Sequence, residues 1–388
     1  MSNLVATGAL SPPITGSVDL LIIAGEHSGD EHAANMLRAL LTKHPELNAC
    51  ALGGPRLAAA GAQLLRDLTA NSTMGFAVLG KISYYRALIT EVTRWVGTHR
   101  PRAVCFVDSS ALNLRIAAQM FERGFSAKAG GPTKTLYYIS PQIWASRAGR
   151  RFEMARHLDG LAAIFPFEVA CYADTNLPVE FVGHPFVAAD YAAPVAFDPH
   201  GPVLLLPGSR KQVVNRLFPA LIGAYALAGK TQSAVALYPS EEIRAVLQFW
   251  KNRAATGEKI ELRPVAGKTV AASAVLTASG TMSMHCALAG IPGALTYKTD
   301  PLTYFLGRLL VKVEYIGIAN LLLKEPMYPE FIQNAAKPPA LAAQLCECLD
   351  SPQRLEQTKV HAAKLRELLH APSTSSAAEW VARQLGCK

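Results

Sequence analysis

Val203-Leu204-Leu205-Leu206-Pro207-Gly208-Ser209-Arg210-Lys211 decides how the chain is read. Its apolar run suits a short strand buried on both faces, and Pro207-Gly208 stops that strand abruptly. From Lys211 to about Gly229 apolar residues recur at helical spacing (Val213, Val214, Leu217, Phe218, Leu221, Ile222, Tyr225). Gly208, Ser209 and Arg210 therefore sit at a helix N-terminus, where backbone N–H groups and a partial positive charge attract an anion. Arg210 adds a full charge with bidentate donors, so the stretch predicts a phosphate seat. The same residues also fit an ordinary βα loop with a solvated arginine.

Ser279-Gly280-Thr281 repeats this logic after a strand at Ala274 to Thr277. Two such seats in one half of the chain favour a diphosphate, although Ser279 or Thr281 could instead cap the helix. In the other half, strand Leu20 to Ala24 runs into Gly25-Glu26-His27-Ser28-Gly29-Asp30 and a helix to Lys43. Gly25 and Gly29 permit close backbone approach to a ligand; Ser28 and Asp30 either face it or cap the helix. The GxGxxG dinucleotide fingerprint is absent, which lowers an oxidoreductase reading. Strand Ala103 to Val107 ends on Asp108, beyond the carboxyl end of a strand, where open α/β sheets bind ligands; a helix cap is the alternative. Strand Thr135 to Ile139 ends in the loop Ser140 to Arg147, whose Trp144 and Arg147 are types that line pockets.

Six strands pass before residues 186–201, whose Pro194, Pro199 and Gly201 read as a linker; the strand–helix pattern then restarts. Two doubly wound α/β domains are expected, closed by three helices after about Ala335. The helix from Tyr84 to Gly97 presents a stripe (Tyr84, Tyr85, Leu88, Ile89, Val92, Trp95, Val96) that reads as core or as a lipid-facing surface. The helix from Pro301 to Val313 carries the same ambiguity.

The 388 residues are 50% hydrophobic and 17% charged, a globular composition, and the net charge of +9 predicts anionic partners. No zinc-finger or RNA-binding signature is present, so no nucleic-acid partner is expected. Seven scattered cysteines read as reduced thiols, with the Cys346/Cys348 pair structural and no metal expected. No secretory signal is read at the N-terminus. Thr269 to Tyr297 imitates a membrane span, but Ser, Gly and Pro cut it into a buried βαβ segment.

The ordered motifs resemble the lipid-A-disaccharide synthase family, glycosyltransferases of the two-Rossmann-domain (GT-B) type. The matching stretches are Ala24-Gly25-Glu26-His27-Ser28-Gly29-Asp30, Gly54-Pro55-Arg56, Met74-Gly75, Tyr138 to Ala145, Phe165-Pro166-Phe167-Glu168, Phe181-Val182-Gly183-His184, Leu206 to Arg210, Ser279-Gly280-Thr281, Asn320-Leu321-Leu322 and Pro329 to Gln333. The resemblance implies transfer of a diacylglucosamine unit from its UDP derivative to the 6-hydroxyl of diacylglucosamine 1-phosphate, without metal or other cofactor. It makes Asp108 the general base and Arg210 the residue stabilising the departing UDP. Gly208, Ser209, Ser279, Gly280, Thr281, His285, Asn320, Glu330 and Gln333 fall on the donor side; Gly25, Glu26, Ser28, Gly29, Asp30, Asn113, Gln142 and Trp144 fall on the acceptor side.

Three positions depart from the family pattern. His285 replaces a usual glutamate, Val213 an acidic residue, and Asp108-Ser109-Ser110-Ala111-Leu112-Asn113 keeps only the first carboxylate and the asparagine of Asp-Ala-Pro-Asp-Phe-Asn. The expectation is therefore a GT-B architecture: an acceptor domain over residues 1–190, a UDP-sugar donor domain over 191–365, facing across a cleft, and a C-terminal helix at 366–388 packing back on the first. Peripheral attachment to an anionic membrane surface, the cytoplasmic face of the bacterial inner membrane, follows from acylated substrates; a homodimer stays open. Another GT-B enzyme on a different UDP-sugar (a transferase or an epimerase) and a non-catalytic nucleotide-sugar binding protein are the competing readings.

Overall fold

The computed structural model describes residues 9–69, 78–188, 191–300 and 314–387. The Met74-Gly75 motif and the helix read at Pro301 to Val313 lie outside them. The chain divides into two compact units, residues 1–185 with 371–388, and residues 186–370.

The first unit is built on seven parallel strands: β1 (Leu20–Ala24), β2 (Ala49–Gly53), β3 (Gln63–Asp67), β4 (Ala103–Val107), β5 (Lys134–Tyr138), β6 (Gly160–Ala163) and β7 (Val179–Phe181). Their spatial order is β3-β2-β1-β4-β5-β6-β7. The chain thus winds outward from β1, then returns to place β4 on its other side. All five residues of both β1 and β4 are buried, as strands covered by helices on two faces must be. Leu88, Ile89, Val92, Trp95 and Val96 of the helix Val78–His99 pack into this core beside Val104 and Phe106, so that stripe is core. Tyr85 alone of the stripe is markedly exposed.

The last helix, Ala377–Leu385, also belongs to the first unit. Its Trp380 is 2% exposed and lies against Gly160, where a Cβ would come within 3.2 Å of the indole. Around it, Glu180 accepts hydrogen bonds from Thr374, Ser375 and Arg383, and Lys43 pairs with Glu379.

The second unit carries β8 (Val195–Phe197), β9 (Val203–Leu206), β10 (Ala234–Tyr238), β11 (Ile260–Pro264), β12 (Val270–Ala272), β13 (Ala274–Ala278), β14 (Gly293–Tyr297) and β15 (Glu330–Ile332). Six of them form a sheet ordered β11-β10-β9-β13-β14-β15, parallel throughout, the same winding as the first. The stretch read as a plain linker contains β8, which pairs with β12 as a separate two-stranded ribbon. Backbone pairing, which a proline-rich composition does not reveal, is what orders it. The apolar segment from Thr269 to Tyr297 resolves into β12, β13, the helix Thr281–Leu288 and β14; no described helix is long and apolar enough to cross a membrane. All seven cysteines are free thiols.

Candidate active site

Each sheet has its topological switch point where sequence reading placed chemistry. In the first unit Ala24 pairs with Val107, so the turn beginning at Gly25 and the one beginning at Asp108 open side by side from neighbouring strand ends. In the second, Leu206 pairs with Thr277, which puts Pro207-Gly208 beside Ala278-Ser279.

At the first switch point Ser28 Oγ donates to Asp108 Oδ2 across 3.3 Å. Asp108 and Ser109 both adopt left-handed backbone, φ +51° and +41°, an uncommon state for residues with side chains. Two side chains hold it: Tyr137 donates its hydroxyl to the Asp108 carbonyl, and Asn113 Nδ2 donates to the same oxygen at 2.9 Å and to Val107 at 3.2 Å. Burial is the main force lifting the Tyr137 phenol well above its ordinary range, and Asp108 adds to it, so this donor stays protonated. Gly25 is required by space, because a Cβ there would lie 2.7 Å from Ser109 Oγ. At Gly29 a built Cβ would make only ordinary contacts, 3.4 Å from Val107 O and 3.6 Å from Asp108 Cβ, so space does not demand glycine there.

Several of the expected site residues are engaged within the fold. Asp30 is 1% exposed, and its carboxylate accepts the backbone N–H groups of Gly54, Arg56 and Leu57, closing the start of the helix Pro55–Ala59. It caps a neighbouring helix, not its own. Asn113 is fully buried and its amide is committed to carbonyls, so it shapes the site from behind. Glu26 is exposed at the N-cap position of its helix without capping it, and Gln142 is exposed. Trp144 packs edge-on against Phe167 at 5.2 Å, over the turn that holds Glu168. That glutamate is 1% exposed and accepts the N–H groups of Ile164 and Phe165; burial pushes its pKa up to about 7, against the pull of those bonds.

At the second switch point Gly208 takes φ +107°, and a built Cβ would sit 3.5 Å from Val213 and 3.6 Å from Ala278. The turn is thus pressed against the end of β13. Ser209 and Arg210 are exposed, and Arg210 occupies the N-cap of the helix Lys211–Ala228, where no side-chain cap bond is made among the described residues. Gly280 and Thr281 are exposed at the equally uncapped start of Thr281–Leu288. Both starts therefore keep backbone donors for an anion.

Ser279 was expected to cap or to bind phosphate, but its hydroxyl donates to the Ile316 carbonyl at 3.2 Å. Glu330 accepts from the N–H groups of Ile316 and Gly317 and from Asn320 Nδ2, while Asn320 also ties Tyr328 at both its amide atoms. Gln333 makes a two-way bond with the Thr299 backbone. These three side chains brace the loop at 314–320 and the end of β14. His285 is buried, bonds Tyr191 through Nδ1 and lies against Phe186, ring centroids 4.0 Å apart.

Sequence reading overlooked Arg150, the first residue of the helix Arg150–His157, which donates to Ser110 Oγ at 3.3 Å. An arginine one loop beyond the end of β5 was the available signal.

Comparison with solved structures shows the fold alone. A calicheamicin glycosyltransferase matches with a TM-score of 0.57 at 13% identity, covering 95% of this chain and 98% of that one. A putative UDP-N-acetylglucosamine 2-epimerase from Listeria monocytogenes matches at 0.58 and 12% identity, covering 95% and 96%. The architecture is therefore GT-B, two Rossmann-like domains, as expected. Sequence comparison is more specific. The lipid-A-disaccharide synthase of Geobacter metallireducens is 33% identical over 363 residues, 90% of this chain and 92% of that protein. Lipid-A-disaccharide synthase 1 of Legionella pneumophila strain Lens is 33% identical over 368 residues, 90% and 93% of the two chains. The family model described as lipid-A-disaccharide synthetase matches residues 20–385, and the chain belongs to that family.

Proposed function

We propose that this chain is the inverting glycosyltransferase that joins UDP-2,3-diacylglucosamine to 2,3-diacylglucosamine 1-phosphate, forming the β-1,6-linked lipid A disaccharide 1-phosphate and UDP. Membership of the family supplies the lipid A disaccharide-forming role. The observation that carries the assignment of residues is the position of Asp108 and Arg210, each at the switch point of its own sheet. In this reading the first unit takes the acceptor and the second the donor.

Asp108 accepts the proton of the acceptor's 6-hydroxyl as that oxygen attacks the donor's anomeric carbon, and the bond to the UDP oxygen breaks on the opposite face. Ser28 and the two donors to the Asp108 carbonyl hold the carboxylate in place for that step. Negative charge grows on the departing diphosphate. Arg210 and the backbone donors at the starts of Lys211–Ala228 and Thr281–Leu288 stabilise it. Acylated substrates and the +9 charge support peripheral binding to the anionic cytoplasmic face of the inner membrane, which sedimentation with anionic against neutral vesicles tests.

Incubation with the two lipid substrates, followed by mass spectrometry, tests the reaction. A disaccharide carrying both acylated sugars and one phosphate, with stoichiometric UDP, is expected. An epimerised UDP-sugar, or release of UDP without coupling, overturns it.

A further inference from the structure

Two consecutive arginines begin the helix Arg150–His157, and they differ in their surroundings. Arg151 is neutralised by Asp174, with bonds of 2.7 and 2.6 Å. Arg150 is half-buried, and among the described residues its guanidinium pairs with no carboxylate and donates instead to the Ser110 hydroxyl. A partly desolvated cation with most of its five donors uncommitted to protein acceptors is a poor element of stability, and a good anion receptor. Ser110 itself opens the helix Ser110–Glu122, at whose start no side-chain cap bond is made among the described residues.

We propose that Arg150, with Ser110, holds the phosphate monoester of the acceptor sugar and so selects for a phosphorylated acceptor. The inference rests on the acceptor assignment above and adds a residue to it. Ring chemistry fits the spacing. In a hexopyranose the carbon bearing C6 and the anomeric carbon both flank the ring oxygen, so the reacting 6-hydroxyl and a 1-phosphate project from the same edge. Asp108 and Ser110 are likewise two residues apart on one turn, and Arg150 reaches the second of them. Guanidinium and phosphate form charge-assisted, bidentate pairs, which lysine or a neutral donor reproduces only in part.

Transfer to the diacylglucosamine 1-phosphate acceptor is compared with transfer to its dephosphorylated counterpart, in the wild type and in Arg150→Gln and Arg150→Lys. Losing one charge-assisted contact lowers kcat/KM for the phosphorylated acceptor about 10- to 100-fold in Arg150→Gln, chiefly through KM, with the dephosphorylated acceptor nearly unaffected and partial recovery in Arg150→Lys. A merely structural arginine lowers both substrates by the same factor, and that result overturns the proposal. A wild type that couples neither substrate overturns the acceptor assignment instead. Titration of glucosamine 1-phosphate into both proteins then decides the matter without turnover: weaker binding to Arg150→Gln supports the phosphate site, whereas equal binding, or none to either, overturns it.

Discussion

Ser28 and Asp108 belong to segments eighty residues apart, and Ser28 Oγ reaches Asp108 Oδ2 at 3.3 Å because β1 and β4 are neighbours at the switch point. The helix that follows one strand thereby orients the carboxylate that ends another. Replacing Asp108 by Asn keeps the shape and removes the base. The expected result is a fall in kcat of about 10²- to 10⁴-fold with UDP affinity unchanged, measured by steady-state assay and calorimetric titration. A variant that couples at the wild-type rate would falsify the base assignment.

Gly25 is held to glycine by Ser109, whose Oγ and Cβ would lie 2.7 and 3.1 Å from an added methyl. Ser109 cannot retreat easily, since its own backbone is left-handed and its neighbour Asp108 is pinned by Tyr137 and Asn113. Gly25→Ala should therefore displace Asp108 and lower kcat. Adding Ser109→Gly, which removes both clashing atoms and suits a positive φ, should restore much of the loss. If the two substitutions act independently, the clash is not what sets the position of the carboxylate.

Arg210 stands exposed at the uncapped start of Lys211–Ala228. Its guanidinium is assigned to charge that appears mainly as UDP departs, so its removal weakens the transition state more than the bound donor. Arg210→Ala is expected to lower kcat by about 2 to 4 kcal/mol of barrier, by analogy with deleting one preorganised donor. An unchanged kcat at saturating donor, with only KM raised, would assign it to ground-state binding.

The central strands were legible because burial on two faces demands unbroken apolar runs, as in Leu20-Leu21-Ile22-Ile23-Ala24 and Val203-Leu204-Leu205-Leu206. The strands that sequence reading omitted are β3, β8, β11, β12 and β15. Of these β3, β11 and β15 lie at sheet edges and carry Arg66, Glu261 or Glu330 with partial exposure, so no apolar run marks them. Asp108 and Arg210 could be placed from strand ends alone. What Asp30, Asn320, Glu330 and Gln333 do could not, because their partners are chosen by tertiary approach: Asp30 meets Gly54, and Gln333 meets Thr299.

The helix Ala377–Leu385 is held to its unit by an indole and by ionic bonds, and the two should differ in weight. Trp380 is 2% exposed, so truncation to alanine removes a full aromatic burial, about 3 to 5 kcal/mol. Arg383 is half exposed where it meets Glu180, and such pairs contribute below about 1 kcal/mol. In a chain of two units a single melting curve is ambiguous, so amide exchange within 377–385 is the fitting measurement. Protection should collapse in Trp380→Ala and persist in Arg383→Ala; the reverse order would make the latch ionic.

Glu168 gives stability a pH dependence of unusual sign. Burial lifts its pKa from the ordinary 4.5 to about 7, against the N–H bonds from Phe165 and Ile164. Between those values the unfolded chain has released the proton and the folded chain keeps it, so the folded state binds more protons and stability falls as pH rises. The loss is complete above the folded pKa and amounts to about 3 kcal/mol, the free energy that separates the two proton affinities. Glu168→Gln preserves an acceptor for the same N–H groups without a titrating proton. Relative to the wild type the variant should gain stability as pH is raised from about 4.5 to about 7.5, read from urea titrations of both proteins across that range. Parallel curves would mean that Glu168 ionises in the folded state near its ordinary value, and that the turn under Trp144 admits water.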